Sequence, residues 1–366
     1  MHSLHLNKEN LFFFSELKQP VFPEQDSGTP ILQQMDSRDE TFDILKGIAI
    51  LFVILGHCDG GPLYSFIFSF HMPLFFFVTG YFLKIRPFRE EIHLSTMRLI
   101  CPYIFSAICI CLAAFITDLL NYTWTDGSYT QETIIKYLLG FNCQNNAIWH
   151  IGRIQVLWFL LAMFWARILV VFFIPKIKSY KLLCVIFVFL GVLGIFLGEF
   201  SPIPYCIPQG LSAASFIYVG HLIKKFNLIH SISIKHLILF FIILWLYNWN
   251  QGGLDMNNNH YPTGYIFCLF GSLGAFFTIF SIVKNFHVNN LFWKSLLFCG
   301  RYSLIIYCVH AIERNICNWK TFAILHHIPL EHFTLFHILI RIAIAISFTL
   351  VILKIKPLRI HVFQIK

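Results

Sequence analysis

The chain has 366 residues, of which 57% are apolar and only 12% are charged, and its mean hydropathy is +0.69. This composition excludes a pair of ordinary soluble domains and indicates a polytopic membrane protein. The formal net charge of +9 does not indicate a nucleic-acid surface, because the basic residues are spread singly between apolar runs. We therefore predict an all-α integral membrane protein that contacts membrane lipid and binds no nucleic acid.

The chain begins with a polar stretch, 1–40, that predicts a cytoplasmic tail. Apolar runs of about 17 to 23 residues predict about ten transmembrane helices within a single domain, 41–355. A short basic tail, 356–366, follows. The predicted helices lie near 42–58, 63–84, 98–117, 154–174, 182–198, 207–223, 235–249, 262–283, 296–313 and 334–354.

The connecting segments predict the orientation of these helices. With the N-terminus inside, the inner connections and the C-terminal end carry about sixteen Lys and Arg residues, and the outer connections carry about four. Both termini are therefore predicted to be cytoplasmic. We expect a multi-pass protein of a cell membrane, most simply the inner (cytoplasmic) membrane of a bacterium.

The longest outer connection runs from 118 to 153. It contains amide and aromatic side chains, and its Ile134 to Phe141 stretch predicts a short amphipathic helix along the interface. Such a connection either joins helices without further function or contributes to sugar binding.

The first two predicted helices, within 42–83, carry ionisable residues that lipid disfavours. Lys46 and His57 belong to the first helix and His71 to the second. Ionisable side chains inside a membrane segment indicate a functional site. Because Lys46 and His57 are eleven residues apart, both lie on one helix face, about 16 Å apart along the axis. One face therefore carries a cation at one end and an imidazole at the other.

The predicted topology gives the two membrane faces different chemistry. His57, His71 and His310 belong to the outer half, where Glu313 lies near His310. Lys46, Arg98 and Arg301 belong to the inner half. This polarity suits transfer of a group across the bilayer: inner cations would hold the phosphates of coenzyme A, and its arm would carry a thioester outward to an imidazole. His57 would act as the general base.

Each of these residues also has a structural interpretation. An intramembrane histidine can be an interhelical hydrogen-bonding residue, and Lys46 can extend to the inner interface as a topology anchor. Asp59 either caps the turn after the first helix or orients the His57 imidazole.

Several motifs, in this order, resemble a known family. They are Asp43-Ile-Leu-Lys46-Gly47 with His57, then Ser69-Phe70-His71-Met72-Pro73, Arg98 to Tyr103, Leu157-Trp158-Phe159-Leu160, and Gly300-Arg301-Tyr302-Ser303 with His310. The pattern is similar to the membrane-bound acyltransferase 3 family, particularly its fucose 4-O-acetylase-like branch. The resemblance covers about residues 40 to 355.

The resemblance implies an enzyme that uses cytoplasmic acyl-CoA, commonly acetyl-CoA, to modify hydroxyls of extracytoplasmic glycans. An Arg and a His of the family's first helix would correspond to Lys46 and His57. Lysine keeps the charge but not the bidentate geometry. The family's Arg-x-x-Arg pair is incomplete here, since Arg98 matches its second member and Ser95 occupies the first position.

We therefore predict an O-acyltransferase, most simply an O-acetyltransferase that modifies a polysaccharide or glycolipid. The expected catalytic residues are His57, Lys46 and His71. Acetyl-CoA, as co-substrate, would contact Lys46, Arg98 and Arg301, and no metal is expected. The expected positioning residues are Asp59, His310, Glu313 and Trp158. The alternatives are a transporter or flippase for a glycan or lipid-linked precursor, and a non-catalytic membrane scaffold.

Overall fold

The computed structural model describes residues 39–58, 63–120, 128–141, 152–200, 203–230, 232–285, 290–317, 319 and 330–365. Within these residues all regular structure is helical, apart from one isolated bridge between Asp255 and His260. The prediction of an all-α protein is confirmed. The predicted tail 1–40 lies almost wholly outside the described residues, and so does Asp59.

Fourteen α-helices make up the framework that carries the site. They are α1 (Glu40–Gly56), α2 (Leu63–Phe68), α3 (His71–Tyr81), α4 (Phe88–Ser95), α5 (Cys101–Leu120), α6 (Ser128–Leu139), α7 (Trp158–Phe173), α8 (Tyr180–Phe200), α9 (Ile207–Lys225), α10 (Ile232–Asn250), α11 (Tyr265–Lys284), α12 (Leu291–Arg301), α13 (Ser303–Ile316) and α14 (Leu330–Lys354). A π-helical turn, Thr96–Ile100, joins α4 to α5.

Each predicted span overlaps one or two of these helices. Seven helical segments of the described chain are long and apolar enough to cross a membrane, and there are eight if α12 and α13 form one span that bends by 77°. Helix α1, with 17 residues, is short for a span, and the apolar part of α10 covers only Leu237–Asn250. A multi-pass membrane protein is supported, whereas the count of ten and the cytoplasmic termini remain predictions.

The outermost helices differ from the central ones in what their apolar side chains contact. In the most apolar stretch of each helical segment, only 28% of the residues are buried for α5, 22% for α8 and 28% for α14. The corresponding value for α9 is 78%. Apolar helices with exposed flanks are typical of lipid-facing surfaces. Helix α9 instead packs against α3, α7 and α8 in the interior.

Glycines allow α1 and α12 to pack with their backbones in contact. A Cβ atom on Gly47 would lie 2.0 Å from the carbonyl oxygen of Leu296, and one on Gly300 would lie 1.6 Å from that of Asp43. No side chain fits either position. This crossing fixes α1, the helix that carries Lys46 and precedes His57.

The short helix predicted at Ile134 to Phe141 is present as α6, which begins earlier, at Ser128. It packs on α5, where the Tyr103 hydroxyl donates a hydrogen bond of 2.5 Å to the Tyr137 carbonyl. Its predicted place at the membrane interface remains a prediction.

Candidate active site

A cavity of about 590 Å³ lies at the end of the helix bundle that carries His57. We call it the histidine cavity. Its described walls come from the end of α1, from α2 and α3, from the segment before α7, from the loop between α10 and α11, and from α13. The polar and charged side chains that line it include His57, His71, Arg153, Trp158, Asp255, Asn258 and Arg314. Its volume is within the range of about 300 to 1,000 Å³ that is usual for small-molecule sites.

His57 follows directly after the last residue of α1 and lines this cavity. Its ring stacks on that of His310, with 5.5 Å between the ring centroids and 20° between the planes. Among the described residues, no hydrogen bond occupies a ring nitrogen of His57. Within the described part of the chain the imidazole is therefore held by packing, with its nitrogens open to a bound molecule.

Arg341 of α14 secures the backbone at His57. Its Nη1 donates a hydrogen bond of 2.9 Å to the His57 carbonyl oxygen. The last carbonyls of a helix lack intrahelical partners, and a cation there also interacts favourably with the helix dipole. Arg341 thus acts as a cap supplied by another helix.

A buried carboxylate, Glu313 of α13, connects Arg341 to His310. Glu313 Oε2 lies 3.1 Å from Arg341 Nε and 3.3 Å from His310 Nδ1, and Glu313 Oε1 accepts a hydrogen bond from the Trp319 indole. Because the carboxylate accepts, Nδ1 of His310 carries a proton. His310 and Glu313, predicted only to lie near each other in the outer half, are in contact, and His310 stacks on His57 with 1% exposure.

His71 is the first residue of α3 and lines the same cavity. Its Nδ1 lies 2.7 Å from the Ile67 carbonyl oxygen, which can only accept. In the neutral ring, Nε2 therefore carries the lone pair. Such a backbone bond fixes the tautomer of an imidazole that takes a proton on its other nitrogen.

Trp158 begins α7 and forms part of the cavity wall, and its positioning role stays a prediction. The structure therefore brings His57, His71 and Trp158 to one cavity, with His310 and Glu313 behind it. Among the described residues, no group of three or more His, Cys, Asp or Glu side chains could hold a metal ion.

Lys46 and Arg301 meet one acidic residue near the start of α1. Lys46 Nζ lies 2.7 Å from Asp43 Oδ1, and Arg301 Nε lies 3.8 Å from Asp43 Oδ2. Arg301 also reaches Glu40, with 3.3 Å between Nη2 and Oε1. Two of the three cations expected to bind the donor are therefore paired with carboxylates of α1, and Arg301 also connects α1 to α12.

Arg98 belongs to a different group of charges. It is exposed on the π-helical turn, and its charged neighbours are Arg167, Arg86 and Glu91. Arg167 of α7 donates hydrogen bonds to Glu91 Oε1, at 2.6 Å from Nη2, and to Ser95 Oγ, at 3.3 Å from Nε. A guanidinium from α7 thus lies beside Ser95, the position at which the resemblance expects an arginine.

Three arginines of this arrangement were missed by the sequence analysis. Arg167 and Arg341 each interrupt an apolar helical run, which by itself indicates a functional or structural role. Arg314 follows Glu313, and the sequence pattern predicts for it only one of the few basic positions of the outer connections. Its position on the cavity wall depends on the bend between α12 and α13, which no local pattern reveals.

A family model matches most of the chain. Residues 39–355 match the model of the Acyl_transf_3 family, described as "Acyltransferase domain". The chain belongs to this acyltransferase family. No curated protein and no solved structure gives a significant match. The match covers every helix named above, and it supports acyltransferase activity in general and the expected resemblance at the level of the family.

Proposed function

We propose that the protein is an integral-membrane O-acetyltransferase of the fucose 4-O-acetylase-like branch. It transfers an acetyl group from cytoplasmic acetyl-CoA to a hydroxyl of an extracytoplasmic glycan or glycolipid. The observation that carries this proposal is His57: its imidazole faces a cavity of ligand size, and its backbone is capped by Arg341. The family match supplies the reaction class.

In the proposed reaction His57 takes the proton of the acceptor hydroxyl while the oxygen attacks the thioester carbonyl carbon. The tetrahedral intermediate then expels the thiolate of coenzyme A, which takes the proton from the imidazolium. An ester forms and a thioester breaks. General-base catalysis of this kind contributes about 10²- to 10⁴-fold to the rate.

The remaining polar residues have supporting roles in the proposal. His71 presents a second imidazole to the cavity, and His310 with Glu313 supports the ring of His57 from behind. Arg98 with its neighbour Arg167 is a candidate for donor phosphates, because guanidinium groups bind phosphate oxygens in pairs. Lys46 and Arg301 are further candidates that would exchange their Asp43 pairing for the donor.

The test is acetyl transfer from radiolabelled acetyl-CoA to envelope glycan in membranes that contain the protein. His57→Gln should lower the rate at least about 100-fold, as expected for loss of a general base. His93→Gln is the matched control, because His93 is exposed on α4 and does not line the cavity. Full activity of His57→Gln would contradict the assignment of His57 as the general base.

The same membranes separate this proposal from the alternative of a transporter or flippase. An acyltransferase labels the glycan covalently, and the label is released by mild alkali as acetate. A transporter moves a glycan without using acetyl-CoA. Glycan translocation that is independent of acetyl-CoA and leaves no label would favour the alternative.

A further inference from the structure

The charged side chains that line the histidine cavity differ in how well their polar atoms are supplied with hydrogen-bond partners. Asp255 is engaged within its own loop, where Oδ2 accepts a hydrogen bond of 2.6 Å from Asn258 Nδ2 and Oδ1 accepts one of 3.3 Å from the Asn258 backbone. Arg153 donates a hydrogen bond of 2.7 Å to Asn258 Oδ1, a neutral acceptor. The carboxylate on this wall is therefore bonded to an amide, and neither of its hydrogen bonds comes from an arginine.

Arg314 is the second arginine that lines the cavity, and among the described residues it has fewer hydrogen-bond partners than Arg153. It lines the cavity, it is a charged neighbour of His57, and its Nη1 is buried without a hydrogen-bond partner in the described part of the chain. Neither Arg153 nor Arg314 forms an ion pair with any described residue. A buried charged donor without a partner is costly, and the guanidinium that carries it lines the cavity, where an anionic ligand can compensate its charge.

The kind of ligand follows from the chemistry of arginine. A guanidinium presents its N–H groups in a planar fork that matches the two oxygens of a carboxylate or of a phosphate. Two arginines that line one cavity, with Asp255 already bonded to Asn258, favour an anion over a neutral sugar.

We propose that the histidine cavity binds an acceptor that carries an anionic group, either the carboxylate of an acidic sugar or the phosphate of a sugar phosphate, held by Arg314 and Arg153. That this molecule is the acyl acceptor rests on the proposed function, whereas its binding in the cavity as an anionic sugar does not. Held there, the anionic group would place a neighbouring hydroxyl at His57. The specificity of the enzyme would then come from charge, with the polar side chains of the loop between α10 and α11 contacting the rest of the sugar.

A binding experiment on the purified full-length protein in detergent tests this directly. The probes are glucuronate, glucose phosphate and glucose, and the readout is the ligand-induced rise in the apparent melting temperature. We expect a rise with at least one charged probe and none with glucose. Glucuronate and glucose phosphate separate the two sources of the anion. Equal rises with charged and neutral sugars, or no rise with either charged sugar, would overturn the proposal.

Variants assign the binding to the two arginines. Arg314→Gln should abolish the rise, Arg314→Lys should retain part of it, and Lys136→Gln is the control, because Lys136 on α6 does not line the cavity. If Arg314→Gln fails to fold, Arg153→Gln decides, because Arg153 is only half-buried and its substitution removes one hydrogen bond, to Asn258. Unchanged binding of the charged probe by the folded variants would contradict the assignment.

Acetyl transfer gives a second readout that separates this inference from the proposed function. The acceptors are an oligosaccharide that carries the anionic group bound above, carboxylate or phosphate, and a neutral counterpart in which that carboxylate is reduced or that phosphate is removed. We expect at least about tenfold higher kcat/KM for the acidic one, or about 1.4 kcal/mol, mostly through KM. Equal transfer to both would overturn the inference and leave the proposed function standing. Selective binding without transfer would overturn the proposed function and leave the anion site standing.

An oxyanion role for Arg314 gives a different result in the same experiments. If Arg314 only stabilised the tetrahedral intermediate, Arg314→Gln would lower kcat for both acceptors equally and leave binding of the charged probe unchanged. That outcome would contradict the anion site.

Discussion

Arg341→Met is the substitution that most directly tests how the candidate site is held together. Arg341 and Glu313 are 3% and 6% exposed, and their Nε and Oε2 atoms are 3.1 Å apart. Removing one partner of a buried ion pair costs about 3–5 kcal/mol, because the other charge is left uncompensated. The same substitution removes the hydrogen bond to the His57 carbonyl. We therefore expect both a lower apparent melting temperature and a lower kcat.

The double variant Arg341→Met with Glu313→Gln separates charge from packing. It removes both charges of the pair, so its stability should lie closer to that of the wild type than the sum of the single effects predicts, with a coupling energy of about 1–3 kcal/mol. The His57 carbonyl remains uncapped in this variant. Its kcat should therefore stay low while its stability partly recovers.

The measurements are thermal unfolding in detergent and the kinetics of acetyl transfer. A positioning residue should lower kcat with little change in the KM for acetyl-CoA, and Arg341→Lys should restore part of kcat because the charge is kept. Arg89→Met, at an exposed position of α4, is the matched control. Additive effects in the double variant, or an Arg341→Met protein that behaves like Arg89→Met, would refute the reasoning.

Further substitutions test the packing of α1 against α12, the ion pair between Arg167 and the buried Glu91, and the charge at Lys46. Gly300→Ala places a Cβ 1.6 Å from the Asp43 carbonyl oxygen, so α1 and α12 must separate at a cost of about 1–3 kcal/mol or more, which thermal unfolding would detect. Arg167→Met leaves Glu91, with 0% exposure, without its closest cation; it should destabilise the protein by about 3–5 kcal/mol, and adding Glu91→Gln should recover part of this loss. Lys46→Arg should lower acetyl transfer less than Lys46→Ala, and equal losses would argue against a role for charge at this position.

The sequence by itself determined the class of the protein and much of its candidate site. The apolar runs predicted an all-helical membrane protein, because a membrane span must satisfy its backbone internally and present apolar side chains to lipid. The isolated ionisable residues within those runs indicated His57 and His71, because such residues are costly there. The motifs around them predicted the acyltransferase family that the family comparison supports.

Only the tertiary structure decided which of these residues meet. Helical spacing placed Lys46 and His57 on one face, but it could not show that Arg301 of α12 meets Asp43, the partner of Lys46, or that Arg98 lies beside Arg167 of α7. Such pairings join residues of different helices, and the order of helices in a bundle is set by packing, which no local pattern records. The close approach of α1 and α12 depends on two glycines far apart in sequence.

The same reason explains why the arginines of the site were missed. Arg341 lies 284 residues after His57, and Arg314 lies beyond a 77° bend. In sequence each is one basic residue among many. In the folded chain one caps the end of α1 and the other faces the cavity beside the imidazole. The sequence therefore shows which residue types can support the chemistry. Their assembly around His57 follows from how α1, α13 and α14 pack.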